Sequence, residues 1–215
     1  MPSHHPYPAS SPIGTLHKTY KRMRSDTLHE TFRQNPQLWH EYHAERKRNF
    51  ASYDPSSIPC NRIIAELAKI RTSRRKLVVD MGCGDACIAH HFAAQSDPRF
   101  HFANYDHQSG GDPTIIEVDM SMLPLGDASA EIAIMSLALW GTSDNCRQYV
   151  QEAHRALESG GLFYIIDTTK RWSPEPLTDK NAGELLRALL TSCGFRIVSE
   201  DVGLPFCLFV CNKRY

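Results

Sequence analysis

From Lys76 to Ala86 the chain reads Lys-Leu-Val-Val-Asp-Met-Gly-Cys-Gly-Asp-Ala. A short β-branched, apolar run ends in an acid, followed by Gly-x-Gly and by residues able to open a helix. A strand, a tight glycine turn and a helix N-terminus together let a backbone approach a ligand closely. The spacing is Asp-x-Gly-x-Gly, without the third glycine that a dinucleotide pyrophosphate motif uses for close helix packing. It therefore favours the adenosyl end of S-adenosylmethionine, although an incidental glycine turn reads the same way in isolation.

The segments around this turn alternate between strand and helix patterns. Upstream, Asp26 is placed to cap a helix carrying Leu28 and Phe32 on one face. Pro36, after Asn35, fits the first turn of a second helix through Leu38, Trp39 and Tyr42 towards Arg48. Ile63, Ile64, Leu67 and Ile70 stripe a third helix. Downstream, strands are expected at Phe100–Asp106, 114–118, 131–137 and 162–167, with helices at 86–94 and 146–157. Gly160-Gly161 is read as breaking the helix over 146–157, ahead of the fifth strand. A helix over 185–190 and a closing strand pair, 195–198 with 206–210, complete the pattern. Strands alternating with helices, then two strands in succession, specify an α/β fold. The layout is that of a mixed sheet; the family resemblance given below implies a Rossmann-like, mostly parallel seven-stranded sheet with helices on both faces. Three stretches follow: a disordered, partly basic tail over 1–25 that includes Lys18, Lys21, Arg22 and Arg24, a helical lid over 26–72, and the α/β domain over 73–215.

Open α/β sheets bind ligands at the carboxyl ends of their strands. This chain places Asp80, Asp106, Asp119, Ser136 and Asp167 at five successive strand ends. One such acid is usually a turn former or cap. Asp106 lies about 20 residues past the glycine turn, where an acceptor for a ribose diol belongs. A carboxylate, acceptor-only with two oxygens, can take both hydroxyls. Asp119 and Met120 suit an adenine, the acid accepting from the exocyclic amine while the thioether packs on the ring. Gly82 and Gly84 admit the methionine part.

The bulk properties exclude some classes. In 215 residues, 24 Lys+Arg balance 24 Asp+Glu, so the formal net charge is zero and polyanions are not bound by bulk charge. The seven scattered Cys form no paired metal-ligand spacing, and no metal is expected. They fit a reducing compartment. No apolar run reaches the ~20 residues of a membrane span.

Several segments together resemble the ribosomal RNA-processing protein 8 (nucleomethylin) family. They are Asp80 to Asp85, Asp119-Met120, Leu137-Ala138-Leu139-Trp140-Gly141-Thr142 and Glu152 to Leu157, with Phe32 to Pro36, Tyr42-His43 and Gly194 to Val198. The glycine motif is generic to class I methyltransferases; the Tyr-His pair and the Leu-x-Leu-x-Gly-Thr segment are more specific. The resemblance implies a nuclear, nucleolar methyltransferase acting on N1 of an adenine in large-subunit ribosomal RNA during ribosome biogenesis, its partner being that RNA or the pre-ribosome. It also implies cofactor contacts from His43, Gly82, Asp106, Asp119, Met120 and Ser136, where Ser136 replaces the Cys of human-like members. The family's long basic N-terminal extension is missing or shortened here, and 172–180 looks like an insertion. A monomer is expected.

Adenine N1 carries its own lone pair, so in-line methyl transfer needs positioning and desolvation more than a strong base. A carboxylate could stabilise the cationic product. Asp167, then Asp85, are the candidates by strand-end position, with Glu152 a third. Trp140 could stack on the target base, and Arg171 or His107 could hold a phosphate; each is as readily a rim, core or surface residue. A cofactor-binding nucleolar or chromatin scaffold without turnover, and a small-molecule methyltransferase, are the competing readings.

Overall fold

A computed structural model describes residues 19–214 apart from Lys21. Most of the tail expected over 1–25, with Lys18 and Lys21, lies outside these residues. Its last part is not tail-like: Tyr20 is buried, and Ser25 opens helix α1 (Ser25–Gln34). Asp26 sits inside that first turn rather than capping it, its Oδ1 accepting from the Thr27 N–H at 2.6 Å. Asn35 then breaks the chain before Pro36 starts α2 (Pro36–Phe50), as the sequence predicts. Its side chain does not cap; it reaches back to the Thr31 carbonyl. Helix α3 (Pro59–Ala68) follows, again with proline at its start.

The sheet comprises β1 (Lys76–Met81), β2 (Phe100–Asp106), β3 (Ile115–Glu117), β4 (Ala130–Ser136), β5 (Leu157–Thr168), β6 (Phe195–Val202) and β7 (Phe206–Lys213). Its order is β3-β2-β1-β4-β5-β7-β6, parallel except for β7, which runs antiparallel to both neighbours. Helices α4 (Cys87–Ala94), α5 (Ser143–Ala156) and α6 (Glu184–Ser192) make the crossovers. The mostly parallel seven-stranded, Rossmann-like expectation is met. The glycine pair does not break the helix as expected: α5 already ends at Ala156, β5 runs through Gly160 and Gly161, and the irregularity appears as a register shift against β4 between Ala130 and Ile132.

Two-sided burial explains the near-continuous apolar strands. Val78, Ile132, Ile134, Tyr164 and Ile166 face one core with Ile63 and Leu67 of α3 and Ile88 and Phe92 of α4. Val79, Ala133, Met135, Phe163 and Ile165 face the other, with Tyr149 and Val150 of α5 and Leu186 and Leu190 of α6. Arg62 ties α3 to the far edge, donating to the Phe206 carbonyl and pairing with Asp201 at 2.7 Å. The expected helical lid over 26–72 thus divides. Helix α3 covers the sheet, whereas α1 and α2 form a separate small cluster around Tyr20, Leu28, Phe32 and Trp39 that reaches Trp140.

Candidate active site

The carboxyl ends of β1, β2 and β4 converge under α1 and α2, leaving a cleft. Its empty volume is about 570 Å³, counting the part open to solvent, within the range of small-molecule sites. Leu28, Phe32, Trp39, Tyr42, His43 and Arg46 line it from the helices. Gly82, Asp106, His107, Val118, Met120, Leu137, Ala138 and Trp140 line it from the sheet side.

The glycine turn is shaped for close approach. Gly82 and Gly84 have φ of +73° and +63°, which L side chains rarely adopt. A Cβ on Gly82 would meet the Ala138 Cβ at 2.6 Å, and one on Gly84 the His43 Cε1 at 2.7 Å. The turn folds back on β2: the Gly82 and Cys83 N–H groups donate to the Tyr105 carbonyl.

Asp106 governs this end of the cleft. Its Oδ2 accepts the Gly84 N–H at 2.7 Å, and its Oδ1 accepts the His107 N–H at 2.8 Å and the Trp39 indole N–H at 2.9 Å. The Trp39 ring packs on His43 with centroids 4.0 Å apart. Burial lowers the His43 pKa to about 4, with Asp106 opposing the shift, so the ring is neutral at physiological pH. At the next strand end, the Asp119 Oδ1 accepts the Ser121 N–H at 2.9 Å and the Ser25 hydroxyl at 2.5 Å. Tyr149 donates in turn to Ser25 at 2.7 Å.

The remaining sequence candidates fall in different places. Asp80 and Ser136 are buried and do not line the cleft; the Asp80 Oδ1 and Ser136 Oγ find no hydrogen-bond partner among the described residues. Burial, reinforced by Asp106, raises the Asp80 pKa to about 8. Asp85 faces outward, paired with Lys47 at 2.9 Å; burial opposes ionisation, but Lys47 prevails and the pKa is lowered. Asp167 is buried at the end of β5, accepting from the Thr168 N–H at 2.6 Å, and burial raises its pKa. Glu152 is committed to the Leu123 N–H and Arg155.

Trp140 is a wall of the cleft, edge-on to Tyr42 at 4.9 Å, with its indole N–H on the Leu137 carbonyl. Arg171 does not line the cleft. It donates to the Leu139 carbonyl and the Cys146 sulfur, and its guanidinium lies over Trp172. It braces the 137–142 loop from behind. The segment taken as an insertion begins inside the fold, with Trp172 and Ser173 buried.

Sequence reasoning missed Ser25, Trp39 and Tyr149 as partners of the two strand-end carboxylates. Trp39 and His43, four apart on one amphipathic helix, share a face. Ser25 in a polar run carried no signal.

The profile of a family described as hypothetical methyltransferases matches residues 15–214. The chain belongs to this methyltransferase family. Its curated relatives bear the name expected from the motifs. The ribosomal RNA-processing protein 8 of Arabidopsis thaliana is 32% identical over 143 residues, 66% of this chain and 45% of its own length. The 25S rRNA (adenine(645)-N(1))-methyltransferase of Schizosaccharomyces pombe is 28% identical over 197 residues, 88% of this chain and 58% of its own. The chain thus spans about half the length of these relatives.

Among solved structures, a Burkholderia thailandensis 1,6-didemethyltoxoflavin-N1-methyltransferase with bound S-adenosylhomocysteine superposes with a TM-score of 0.62. It is 16% identical over 97% of this chain and 93% of its own. A TehB-like methyltransferase of Corynebacterium glutamicum gives 0.57 at 19% identity, over 84% of this chain and all of its own. At these identities the likeness defines the methyltransferase fold and no more. Among the described residues no helix is long and apolar enough to cross a membrane, and no three His, Cys, Asp or Glu side chains group to hold a metal.

Proposed function

We propose that this methyltransferase-family chain transfers a methyl group from S-adenosylmethionine to N1 of an adenine in large-subunit ribosomal RNA. It would act in ribosome biogenesis in the nucleolus. The observation that carries the cofactor reading is a cleft lined by Gly82 of the left-handed glycine turn, by Asp106 and by Met120, with Asp119 next to Met120 in the chain and the buried Asp80, one oxygen unpartnered among the described residues, just before Gly82. These residues suit the group. An acidic, unpartnered Asp80 complements a cationic amino end, Asp106 a diol, Asp119 an exocyclic amine and Met120 an apolar ring face. His43, packed against Gly84, closes the turn from above. The RNA reading is supported by the names of the relatives, two of which specify adenine N1 in 25S rRNA.

When bound, the cofactor supplies an electrophilic methyl on a sulfonium. The chain's own residues orient and dry the cleft. Tyr42, Trp140, Leu137 and Phe32 present apolar walls that exclude water from an adenine entering beside Ala138. Neutral His43 adds no charge near a cationic donor. Asp167, held by Thr168 at the end of β5, is the carboxylate we assign to a developing positive charge on the base; Asp85, tied to Lys47, is the weaker alternative. Arg171 contributes by fixing the loop that carries Trp140, rather than as a free phosphate ligand.

Primer extension across the large-subunit RNA tests the proposal, because an N1-methyl group blocks Watson–Crick pairing and stops reverse transcription. Cells lacking the protein should lose one such stop, and the intact chain should restore it while Asp106→Ala does not. An unchanged stop pattern would overturn the proposal. Restoration by Asp106→Ala would replace it with a scaffold that needs no turnover.

A further inference from the structure

Asp119 stands at the end of a directed chain of hydroxyls that its strand does not supply. Tyr149, fully buried on α5, donates its phenol proton to the Ser25 Oγ at 2.7 Å. A serine has one proton, and with its oxygen accepting from Tyr149, that proton goes to the Asp119 Oδ1 at 2.5 Å. The same Oδ1 also accepts the Ser121 N–H. Oδ2 accepts no hydrogen bond among the described residues. Ser25 is 4% exposed and belongs to α1, 94 residues upstream of Asp119. Burial pushes the Tyr149 phenol well above its usual range, so it remains a donor at any physiological pH.

We infer that Ser25, held by Tyr149, is a positioning residue that makes Asp119 select a 6-aminopurine. Two donors saturate Oδ1 and hold the carboxylate in one rotamer, leaving Oδ2 as a pure acceptor. An amine at purine C6 satisfies such an oxygen. A carbonyl at C6 offers a second acceptor to it and is repelled. Base discrimination of this kind comes from buried polar groups left unpaired by the wrong ligand. The inference rests on the cofactor reading above and extends it: the adenine pocket is complete only when α1 is docked, so docking of the lid and recognition of the purine are one event.

The test compares binding of S-adenosylhomocysteine and its 6-oxo counterpart, S-inosylhomocysteine, by calorimetric titration of the full chain. The intact chain should favour the 6-amino ligand by a hundredfold or so, and Ser25→Ala should shrink that preference about tenfold. Ser25→Thr, which keeps the hydroxyl, should restore it. Tyr149→Phe should act in the same direction, and Tyr149→Phe with Ser25→Ala should cost no more than Ser25→Ala alone, since the two lie in series. Thermal melts identify variants that fold. Folded Ser25→Ala with an unchanged preference would overturn the inference. So would an equal loss of affinity for both ligands, which would mark a lid contact without purine selection. If the intact chain bound neither ligand, the cofactor reading itself would fail.

Discussion

Asp80 is the last residue but one of β1, 1% exposed, with an Oδ1 that no donor reaches among the described residues. Burial and the neighbouring Asp106 raise its pKa from 3.8 to about 8. In the unfolded chain the same carboxyl loses its proton near pH 4. Between about pH 4 and pH 8 the folded chain therefore binds the proton that the unfolded chain has released. Stability conferred by this group is complete below pH 4 and is lost as pH rises, at about 1.4 kcal/mol per pH unit. By pH 7 the loss is on the order of 4 kcal/mol, a large share of the ~5–15 kcal/mol of an ordinary domain. Asp80→Asn has nearly the same shape and no charge to desolvate. Urea unfolding of both proteins from pH 5 to pH 8 should show the variant gaining on the parent by about 4 kcal/mol across the range. Any constant offset that asparagine introduces leaves the slope intact. Parallel stability curves would refute the reasoning, because they would mean that Asp80 ionises in the fold as easily as in water. The stabilised variant should also lose affinity for S-adenosylhomocysteine, since the strain it relieves is what a cationic amino end would relieve on binding.

Two further perturbations separate local geometry from charge. Gly84→Ala places a Cβ 2.7 Å from the His43 ring at a φ of +63°; left-handed strain of about 1–2 kcal/mol plus displacement of His43 should lower S-adenosylhomocysteine affinity at least tenfold, with a modest drop in melting temperature. Arg171→Met removes the guanidinium from the Leu139 carbonyl and Cys146. It should destabilise the fold by roughly 1–3 kcal/mol by leaving that carbonyl unpaired, while the dependence of RNA binding on salt stays as in the parent; a flattened salt dependence would return Arg171 to phosphate contact.

The strands were legible because burial on both faces leaves a run of apolar residues that polar segments interrupt. Ile132, Ala133, Ile134 and Met135 point alternately to two cores, so no polar position breaks the run. The strand-end carboxylates were legible for a related reason: the chain turns there and a ligand or a cap must use them. Gly160 and Gly161 misled because glycine weakens a strand without ending it, and pairing to β4 on one side and β7 on the other carries β5 through. Arg171 misled because a cation after a strand looks the same in sequence whether its partner is a phosphate or a backbone carbonyl. Ser25 and Tyr149 were invisible for want of any local pattern: their hydrogen bond joins residues 124 apart, and only the docking of α1 on α5 creates it.

That long-range contact also bears on why the helical prelude is part of the site. Each of the two carboxylates assigned to the adenosyl group spends one oxygen on a lid donor, Asp106 on Trp39 of α2 and Asp119 on Ser25 of α1. A carboxylate free to rotate would lose side-chain entropy on capturing a ligand. One already clamped by an indole or a hydroxyl has lost it during folding. The clamps sit on different helices, yet Phe32 of α1 and Trp39 of α2 share one small apolar cluster that also contacts Trp140. A substitution inside that cluster would loosen both carboxylates together with the wall assigned to the target base. On the proposed reading, the lid would be the element that couples cofactor recognition to substrate recognition, with α1 supplying the Ser25 hydroxyl to the first.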